Sequence, residues 1–246
     1  MVPRFFAPDA GKSAAAPLVT LPADESTHLA RVMRIARGGA ICVFNGTGGE
    51  WRAEVVTLDR NAVVIRLLEA ATPVEEPSVR ITLALAVLKG DKMGDVVRDA
   101  VMLGAGAIQP LITVRTETSL AAVTRSERMS RWRRIAIASA KQCGRAVVPE
   151  VSPPRMVTEW LRTGDRGARV MFVEPAVGAP TRHLRTLAPA EHAALIVGPE
   201  GGWTSDEVAA GVSAGATLAT LGSITIRADA MPIVALTAIR TLWQDL

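Results

Sequence analysis

The stretch LIVGPEGGWTSDEV, residues 195–208, combines an apolar run, a glycine-rich turn and a helix start. The apolar run predicts a buried strand that ends at the turn 198–202. Thr204, followed three residues later by Glu207, forms a capping box and fixes a helix start directly behind the turn. Turns between a parallel strand and a helix are where α/β sheets bind ligands, and glycines permit close backbone approach. The stretch therefore predicts an α/β domain with a ligand-binding loop; a tight turn that simply needs several glycines is the alternative.

The same alternation of strands and helices continues on both sides of this stretch. Further apolar runs predict strands at residues 81–89, 107–114, 168–175 and 216–222. Helical patterns lie between and after them, at residues 95–103, 125–143, from 204 onward and up to 243. Continuous apolar strands between helices are typical of a mostly parallel sheet covered by helices.

A second glycine loop occurs in LGSITIRADA, residues 221–230, again after a predicted strand and before a predicted helix. Two such loops at neighbouring strand ends are expected to wrap one ligand, because ligands bind at the carboxyl ends of parallel strands. Asp229 in the second loop has two interpretations: it caps the last helix, or it serves the ligand site.

The first third of the chain has a different character. Strands are predicted at residues 40–44, 51–56 and 62–70 as a meander, and the proline- and glutamate-rich segment 72–78 separates them from the α/β part. One helix is predicted over residues 24–37. Its proposed features are Asp24 as N-cap, Leu29, Val32, Met33 and Ala36 as the apolar face, and Gly38-Gly39 as the stop.

Composition limits the class of protein. The chain has 246 residues, of which 49% are apolar and 21% charged, an ordinary globular mixture. Its apolar runs are too short to span a bilayer and its N-terminus lacks a signal-peptide pattern, so we expect a cytoplasmic protein without a membrane partner. Cys42 and Cys143 are isolated, and the three histidines show no metal-ligand spacing, so no metal site is predicted. The net charge of +4 suits a polyanionic partner.

The two glycine loops, taken together, resemble the SPOUT methyltransferases of the RsmE type, which methylate ring nitrogen 3 of a uridine in small-subunit ribosomal RNA. The likeness extends over nearly the whole chain. HLARVMRIARGG at 28–39 resembles the family's N-terminal RNA-binding segment, KGDKMGDVVRDAVMLGAGAIQPL at 89–111 its first strand-helix-strand stretch, and RWRRIAIASAKQCGRAVVPEV at 131–151 its central helix.

The resemblance implies an α/β fold in which residues 75–246 form a SPOUT-type parallel sheet with a C-terminal trefoil knot. A small PUA-like β-barrel domain that binds RNA is implied for residues 1–74, and the protein is implied to be a homodimer. S-adenosylmethionine is implied to bind in the knot. The residues implied to hold it are Val173, Glu174, Pro175, Gly198, Pro199, Glu200, Gly201, Gly202, Leu221, Gly222, Ile224, Ile226 and Arg227.

The implied activity is S-adenosylmethionine-dependent methylation of ring nitrogen 3 of one uridine in 16S ribosomal RNA, on the assembled small subunit. Such a transfer needs removal of the imide proton but no covalent enzyme intermediate, so a nucleophilic cysteine is not required. Arg227 is our candidate for a cation that stabilises charge developing on the uracil oxygens. Glu200 or Asp229 is the candidate to accept the proton or orient the base; alternatively Glu200 only holds its loop by accepting backbone amides.

RNA contacts are predicted for basic residues at the ends of elements, although each alone is equally well explained as a solvated surface charge. These residues are Arg31, Arg34, Arg37, Lys89, Lys92 and Arg145. In the second loop the family often has an arginine where this chain has Ser223 or Ile224, while Arg227 keeps the second arginine and Asp229 keeps a carboxylate.

Three alternative functions stand beside this one. A SPOUT enzyme that acts on another site, such as a transfer-RNA ribose, is one. A non-catalytic RNA-binding or assembly protein built on a decayed enzyme is another, which the altered segment 223–232 leaves open. A Rossmann oxidoreductase is disfavoured, because the glycines at 104–106 follow a helix and precede a strand, which indicates a helix C-cap instead.

Overall fold

The computed structural model describes residues 2–12, 17–59, 62–163, 167–175, 178 and 180–245. The chain divides into two compact units. The first comprises Met1–Glu76 and Ile137–Val148, and the second comprises Pro77–Ala136 and Pro149–Leu246. Each unit contains its own cluster of buried apolar side chains.

The first unit is built on a five-stranded sheet. Its strands are β1 (Arg4–Phe6), β2 (Leu18–Thr20), β3 (Ala40–Phe44), β4 (Glu50–Leu58) and β5 (Val63–Ala70), in the order β1-β3-β4-β5-β2. The antiparallel pairs β3–β4 and β4–β5 confirm the predicted meander. Its first turn is closed by Asn45, whose Oδ1 accepts hydrogen bonds from the backbone of Thr47 and Gly49, both at 2.9 Å.

The helix predicted over residues 24–37 is wrong in length and type. Helix α1 covers Ala23–Thr27, continues as a π-helical turn over His28–Met33, and ends where Arg34 adopts a left-handed φ of 52°. Pro22, not Asp24, is the N-cap. A π turn holds more residues than an α turn, so apolar residues at α-helical spacing leave the common face.

The exposure of the apolar positions follows from this geometry. Leu29 is fully buried, whereas Val32 and Met33 are 65% and 44% exposed. The helical pattern placed Val32 and Met33 on the apolar face. Their exposure shows that they do not contribute to the core. The exposed side chains of Arg31, Arg34 and Arg37 also do not form one helical stripe, because the helix ends before Arg34.

Cys42 on β3 is expected to be chemically inert. Burial, together with the Glu50 carboxylate whose Oε1 lies 2.9 Å from Sγ, raises the pKa of its thiol to about 12. The thiolate is the reactive form, so at pH 8 its population is about a thousand-fold below that of an ordinary thiol. We expect Cys42 to remain unmodified by iodoacetamide at pH 8 in mass spectra of the folded protein. The same protein unfolded in guanidinium is the control, and equal labelling rates in the two states would contradict the prediction.

The second unit contains a parallel sheet. Its strands are β6 (Arg80–Ala86), β7 (Ala107–Ile112), β8 (Glu150–Val151), β9 (Arg155–Met156), β10 (Ala168–Phe172), β11 (His192–Val197) and β12 (Thr217–Ala219). The order is β12-β10-β11-β6-β7-β8, with β9 also beside β7, and every recorded pair is parallel. The parallel sheet predicted from the continuous apolar runs is thus confirmed.

Helices connect these strands. They are α2 (Lys92–Met102), α3 (Leu120–Arg125), α4 (Arg128–Cys143), α5 (Val157–Thr163), α6 (Ser205–Ser213) and α7 (Met231–Leu242), with a short 3-10 turn at Leu184–Thr186. The pattern missed α5, a helix of only seven residues. Gly104 follows the end of α2 with a φ of 78°, which confirms the predicted helix C-cap. No helix in the described ranges is long and apolar enough to cross a membrane.

The strand order positions the site. Strands β12, β10 and β11 are adjacent and parallel, so their carboxyl ends lie at one edge of the sheet. The segment 173–175 and both predicted glycine loops begin at that edge.

Candidate functional site

The loops that follow β10, β11 and β12 enclose a cavity of about 260 Å³. This volume is slightly below the usual range for small-molecule sites, roughly 300–1,000 Å³. Phe172, Val197 and Trp203 contribute to its wall together with the loops. Of the residues predicted to hold the cofactor, all line this cavity except Gly201 and Gly222. The structure therefore brings both glycine loops and the segment 173–175 to one site.

Close packing explains two glycines of the first loop. A Cβ atom on Gly198 would lie 2.9 Å from the ring of Trp203. Gly202 has a φ of 70°, and a Cβ there would lie 2.6 Å from Oε1 of Glu174. Trp203 is itself anchored, because its Nε1 donates a hydrogen bond to the carbonyl of Phe172 at 2.9 Å. The tight turn and the ligand site are thus compatible interpretations, since the tightly packed turn forms one wall of the cavity.

Glu207 holds the first loop from behind. The predicted capping box is present: the Thr204 side chain accepts from the Glu207 amide, and Oε2 of Glu207 accepts from the Thr204 amide at 3.0 Å. Oε1 of the same carboxylate accepts from the backbone of Val114 at 2.8 Å. Arg115 adds a hydrogen bond from Nη1 to the carbonyl of Gly201 at 2.6 Å. The segment after β7 therefore fixes the start of α6 and the glycine turn.

Replacing Glu207 by alanine is expected to lower the free energy of unfolding by roughly 2–3 kcal/mol, because the carboxylate is only 2% exposed and accepts hydrogen bonds from the backbone amides of Val114 and Thr204. Urea denaturation measures the change. Asp206→Ala, at an exposed position in the same helical turn, is the matched control and should change the value far less. Equal effects of the two substitutions would rule out this role for Glu207.

A lysine connects the two glycine loops. Lys92 begins α2 and lines the cavity. Its Nζ lies 3.5 Å from Oε1 of Glu200 in the first loop and 3.7 Å from Oδ2 of Asp229 in the second. Oε1 of Glu200 also accepts from the backbone amide of Lys89 at 3.2 Å. Glu200 thus accepts a backbone amide, as expected if this carboxylate holds its loop in place.

Asp229 is bound by cations. Arg227 donates to it twice, from Nε at 3.2 Å and from Nη2 at 3.0 Å, while the Arg227 side chain is 76% exposed. Burial acts to raise the pKa of Asp229, but the hydrogen bonds and charge of Arg227, with the charge of Lys92, outweigh it and lower that pKa. A carboxylate with a lowered pKa is a poor base, which favours an orienting role for Asp229. The helix-cap interpretation is wrong, because Ala230 is the N-cap of α7 and no side chain caps it.

The residues predicted to contact RNA are in different environments. Arg31, Arg34 and Arg37 are exposed, and within the described part of the chain none of the three is in an ion pair. Lys89 is exposed and paired with Glu117 at 2.7 Å. Lys92 belongs to the cavity wall.

Arg145 requires a correction. It is only 7% exposed, and its guanidinium binds the Glu76 carboxylate through Nε at 3.0 and 3.1 Å and through Nη2 at 2.5 Å. A buried arginine whose charge is already balanced cannot reach an RNA phosphate, so the predicted RNA contact of Arg145 is wrong.

Sequence reasoning placed Lys92 on the RNA side and missed its place in the cavity. No local sequence pattern indicates that place, because it depends on the pairing of β6, which precedes Lys92, with β11, which carries the first glycine loop. Among the residues that the structure describes, no group of three or more histidine, cysteine or acidic side chains is arranged to hold a metal ion.

Two family models match the chain. A family model for the RNA methyltransferase domain matches residues 75–240, and one for the RNA methyltransferase PUA domain matches residues 21–68. The chain is therefore an RNA methyltransferase with an N-terminal PUA domain, and the parallel sheet with its cavity lies in the methyltransferase domain. Its fold is the α/β fold of the SPOUT methyltransferases with a PUA-like N-terminal unit, as the resemblance implied.

The similarity to individual proteins shows the family to which the chain belongs. The ribosomal RNA small subunit methyltransferase E of Synechocystis is 32% identical over 233 residues, covering 92% of this chain and 74% of the relative. The Bacillus subtilis protein of the same name is 26% identical, covering 91% and 90%. A crystal structure of this methyltransferase from Neisseria gonorrhoeae, bound to S-adenosyl methionine, has a TM-score of 0.88 and 29% identity over 99% of this chain and 98% of that one. The chain belongs to the ribosomal RNA small subunit methyltransferase E family.

Proposed function

We propose that the protein transfers a methyl group from S-adenosylmethionine to ring nitrogen 3 of one uridine in 16S ribosomal RNA, on the assembled small subunit. The observation that carries the proposal is the cavity at the carboxyl edge of the parallel sheet, enclosed by three loops with two cations and three carboxylates in its wall. The relative from Neisseria gonorrhoeae, which binds S-adenosyl methionine, supports it.

The residues of the cavity fit this cofactor. Val173, Leu221 and Ile226 offer apolar surface for an adenine ring, and the tight turn beside Gly198 offers backbone polar groups. Glu174 and Glu200 are carboxylates that suit ribose hydroxyls and the positive charges of the methionine part. Bound there, S-adenosylmethionine supplies an electrophilic methyl group.

We assign to Lys92 the stabilisation of the negative charge that develops on the substrate during the reaction. As the imide proton leaves, negative charge develops on the uracil oxygens, and a fixed cation stabilises it and lowers the pKa of the imide. Lys92 stands on a helix and is held between Glu200 and Asp229, so its ammonium needs little reorganisation. Arg227 is the second cation of the cavity wall and keeps its predicted role as a partner of the substrate.

The proton acceptor is assigned to Glu200. The lowered pKa of Asp229 makes that carboxylate a poor base, and its contacts with Arg227 and Lys92 give it a positioning role instead. A carboxylate is a weak base for a free imide, but stabilisation of the uracil anion by Lys92 reduces the difference in pKa that must be overcome.

The domain roles follow from the same family membership. We assign RNA binding to a PUA-like domain at residues 1–74 and catalysis to residues 75–246, with a trefoil knot formed where the loop 221–230 passes the first glycine loop. A homodimer acting in the cytoplasm, where ribosomal subunits are found, completes the proposal. Ile224 and Ile226 of the altered segment still line the cavity, which favours an enzyme over a decayed, non-catalytic protein.

Transfer of a labelled methyl group tests the proposal. Small ribosomal subunits that lack the native methylation, their naked RNA and large subunits are each incubated with the protein and labelled S-adenosylmethionine. We expect label in the small subunits, less in naked RNA and none in large subunits. Label in none of the three would refute the proposed reaction, and label in naked RNA alone would refute the preference for the assembled subunit.

A further inference from the structure

The end of α3 and the start of α4 carry a concentrated positive charge that the proposed reaction does not use. Residues 125–134 include five arginines and one glutamate, a net charge of +4, which equals the net charge of the whole chain. Arg128, Arg131 and Arg134 recur at every third position of α4 and are all exposed. Residues at this spacing lie along one flank of a helix. We call these three residues the α4 arginine surface.

The positive charges of these exposed arginines are only partly balanced by acidic side chains. Arg131 pairs with Asp91 at 2.6 Å, and both side chains are largely exposed. Arg128 donates from Nη1 to the hydroxyl of Thr118 at 3.2 Å, and Arg134 donates from Nε to the Ser130 carbonyl of its own helix at 3.4 Å. Neither Arg128 nor Arg134 has an ion-pair partner among the residues that the structure describes.

Their position opposes helix stability. Arg128 and Arg131 stand in the first turn of α4, which contains no acidic residue. Cations at a helix N-terminus interact unfavourably with the helix dipole. The opposite side of the helix is buried through Trp132 and Ala136, so the arginines make no contribution to the core. An anionic partner explains why the chain carries these charges at this end of the helix.

The surface adjoins the cavity. Arg131 binds Asp91, the residue directly before Lys92, which lines the cavity. Arg128 binds Thr118, which lies in the segment that follows β7. Arg115 of the same segment donates a hydrogen bond to Gly201 of the first glycine loop. These contacts connect the arginines to the segments that form the cavity wall, where the strand adjoining a bound nucleotide would run.

We propose that the α4 arginine surface binds phosphates of the RNA strand that adjoins the target nucleotide. Guanidinium groups suit phosphates because their planar donors bind two oxygens at once. The inference rests on the proposed function, since it takes the target to be RNA.

Binding of unmethylated small ribosomal subunits to Arg128→Gln/Arg134→Gln, measured by filter retention at several salt concentrations, tests the proposal. Arg98→Gln/Arg155→Gln is the matched control, because these two arginines are already paired with Asp95, Asp99 and Glu159. We expect the dissociation constant to rise roughly tenfold in the test variant and the slope of log affinity against log salt to become shallower by about 1.5, the value for two lost phosphate contacts. The control should match the unchanged protein.

A test variant with the same affinity and salt slope as the control would overturn the proposal. Because binding is measured without methyl transfer, this result is independent of the proposed reaction. In the methyl-transfer assay, kcat at saturating subunits should be unchanged in the test variant while KM for subunits rises. A loss of kcat with unchanged KM would also overturn it.

Discussion

Replacing Asp245 by alanine is expected to lower the free energy of unfolding by about 3–5 kcal/mol, the cost of removing one partner of a buried ion pair. Its carboxylate binds Arg240 through Oδ2, and both side chains are almost fully buried. Oδ1 accepts from the backbone of Ser78 at 2.7 Å, from its hydroxyl at 2.6 Å and from the amide of Val79 at 3.1 Å. The substitution thus leaves a buried charge and several donors without this acceptor.

Urea denaturation of Asp245→Ala and Asp95→Ala compares a buried with an exposed ion pair. Asp95 pairs with Arg98 at 2.9 Å, but its side chain is 70% exposed. Exposed pairs contribute about 0–1 kcal/mol, so the control should unfold almost as the unchanged protein does. The double variant Arg240→Leu/Asp245→Ala should recover part of the loss, because it no longer buries an unpaired guanidinium. Equal losses for Asp245→Ala and the control would contradict this account of the C-terminus.

Replacing Lys92 by methionine is expected to lower kcat for small-subunit methylation by about 100-fold or more, the usual effect of removing one group that stabilises developing charge. Methionine keeps much of the apolar stem but removes the ammonium that Glu200 and Asp229 hold in the cavity wall. The rate is measured at saturating subunits and saturating S-adenosylmethionine, so that the loss reports on the chemical step.

Two further variants separate charge from structure. Lys92→Arg keeps a cation at the same place and should retain more activity than Lys92→Met. Lys12→Met removes an exposed lysine that pairs with Asp9, in the first unit, and should leave kcat within about twofold, because exposed pairs have little energetic weight. A kcat for Lys92→Met close to that of the unchanged protein would remove Lys92 from the mechanism.

The sheet and both loops were predictable because their signals are local. Thr204 and Glu207 lie three residues apart, and the apolar run that forms β11 leads directly into the first glycine turn. The parallel arrangement followed from continuous apolar strands between helices. With these elements in order, both loops were expected at one site, and the resemblance to the SPOUT methyltransferases added residues 173–175; the structure brings all three segments to the same cavity.

The errors concern residues whose environment depends on distant parts of the chain. Arg145 is buried by an ion pair with Glu76, 69 residues away, which no local pattern announces. Asp245 binds Ser78 across 167 residues of chain. In the first unit, the apolar residues of 24–37 have α-helical spacing, but a π turn followed by a left-handed Arg34 changes which side chains face the core. The RNA contact of Lys92 stays a prediction, and its place beside the first glycine loop follows only from the sheet order.

Identification of the methylated nucleoside tests the central claim most directly. Small ribosomal subunits that lack native modification are incubated with the protein and S-adenosylmethionine, and their RNA is digested to nucleosides for mass spectrometry. The account predicts 3-methyluridine as the product, formed by the unchanged protein and reduced about 100-fold or more in initial rate by Lys92→Met. A methyl group on a ribose, on another base or on no nucleoside would contradict it.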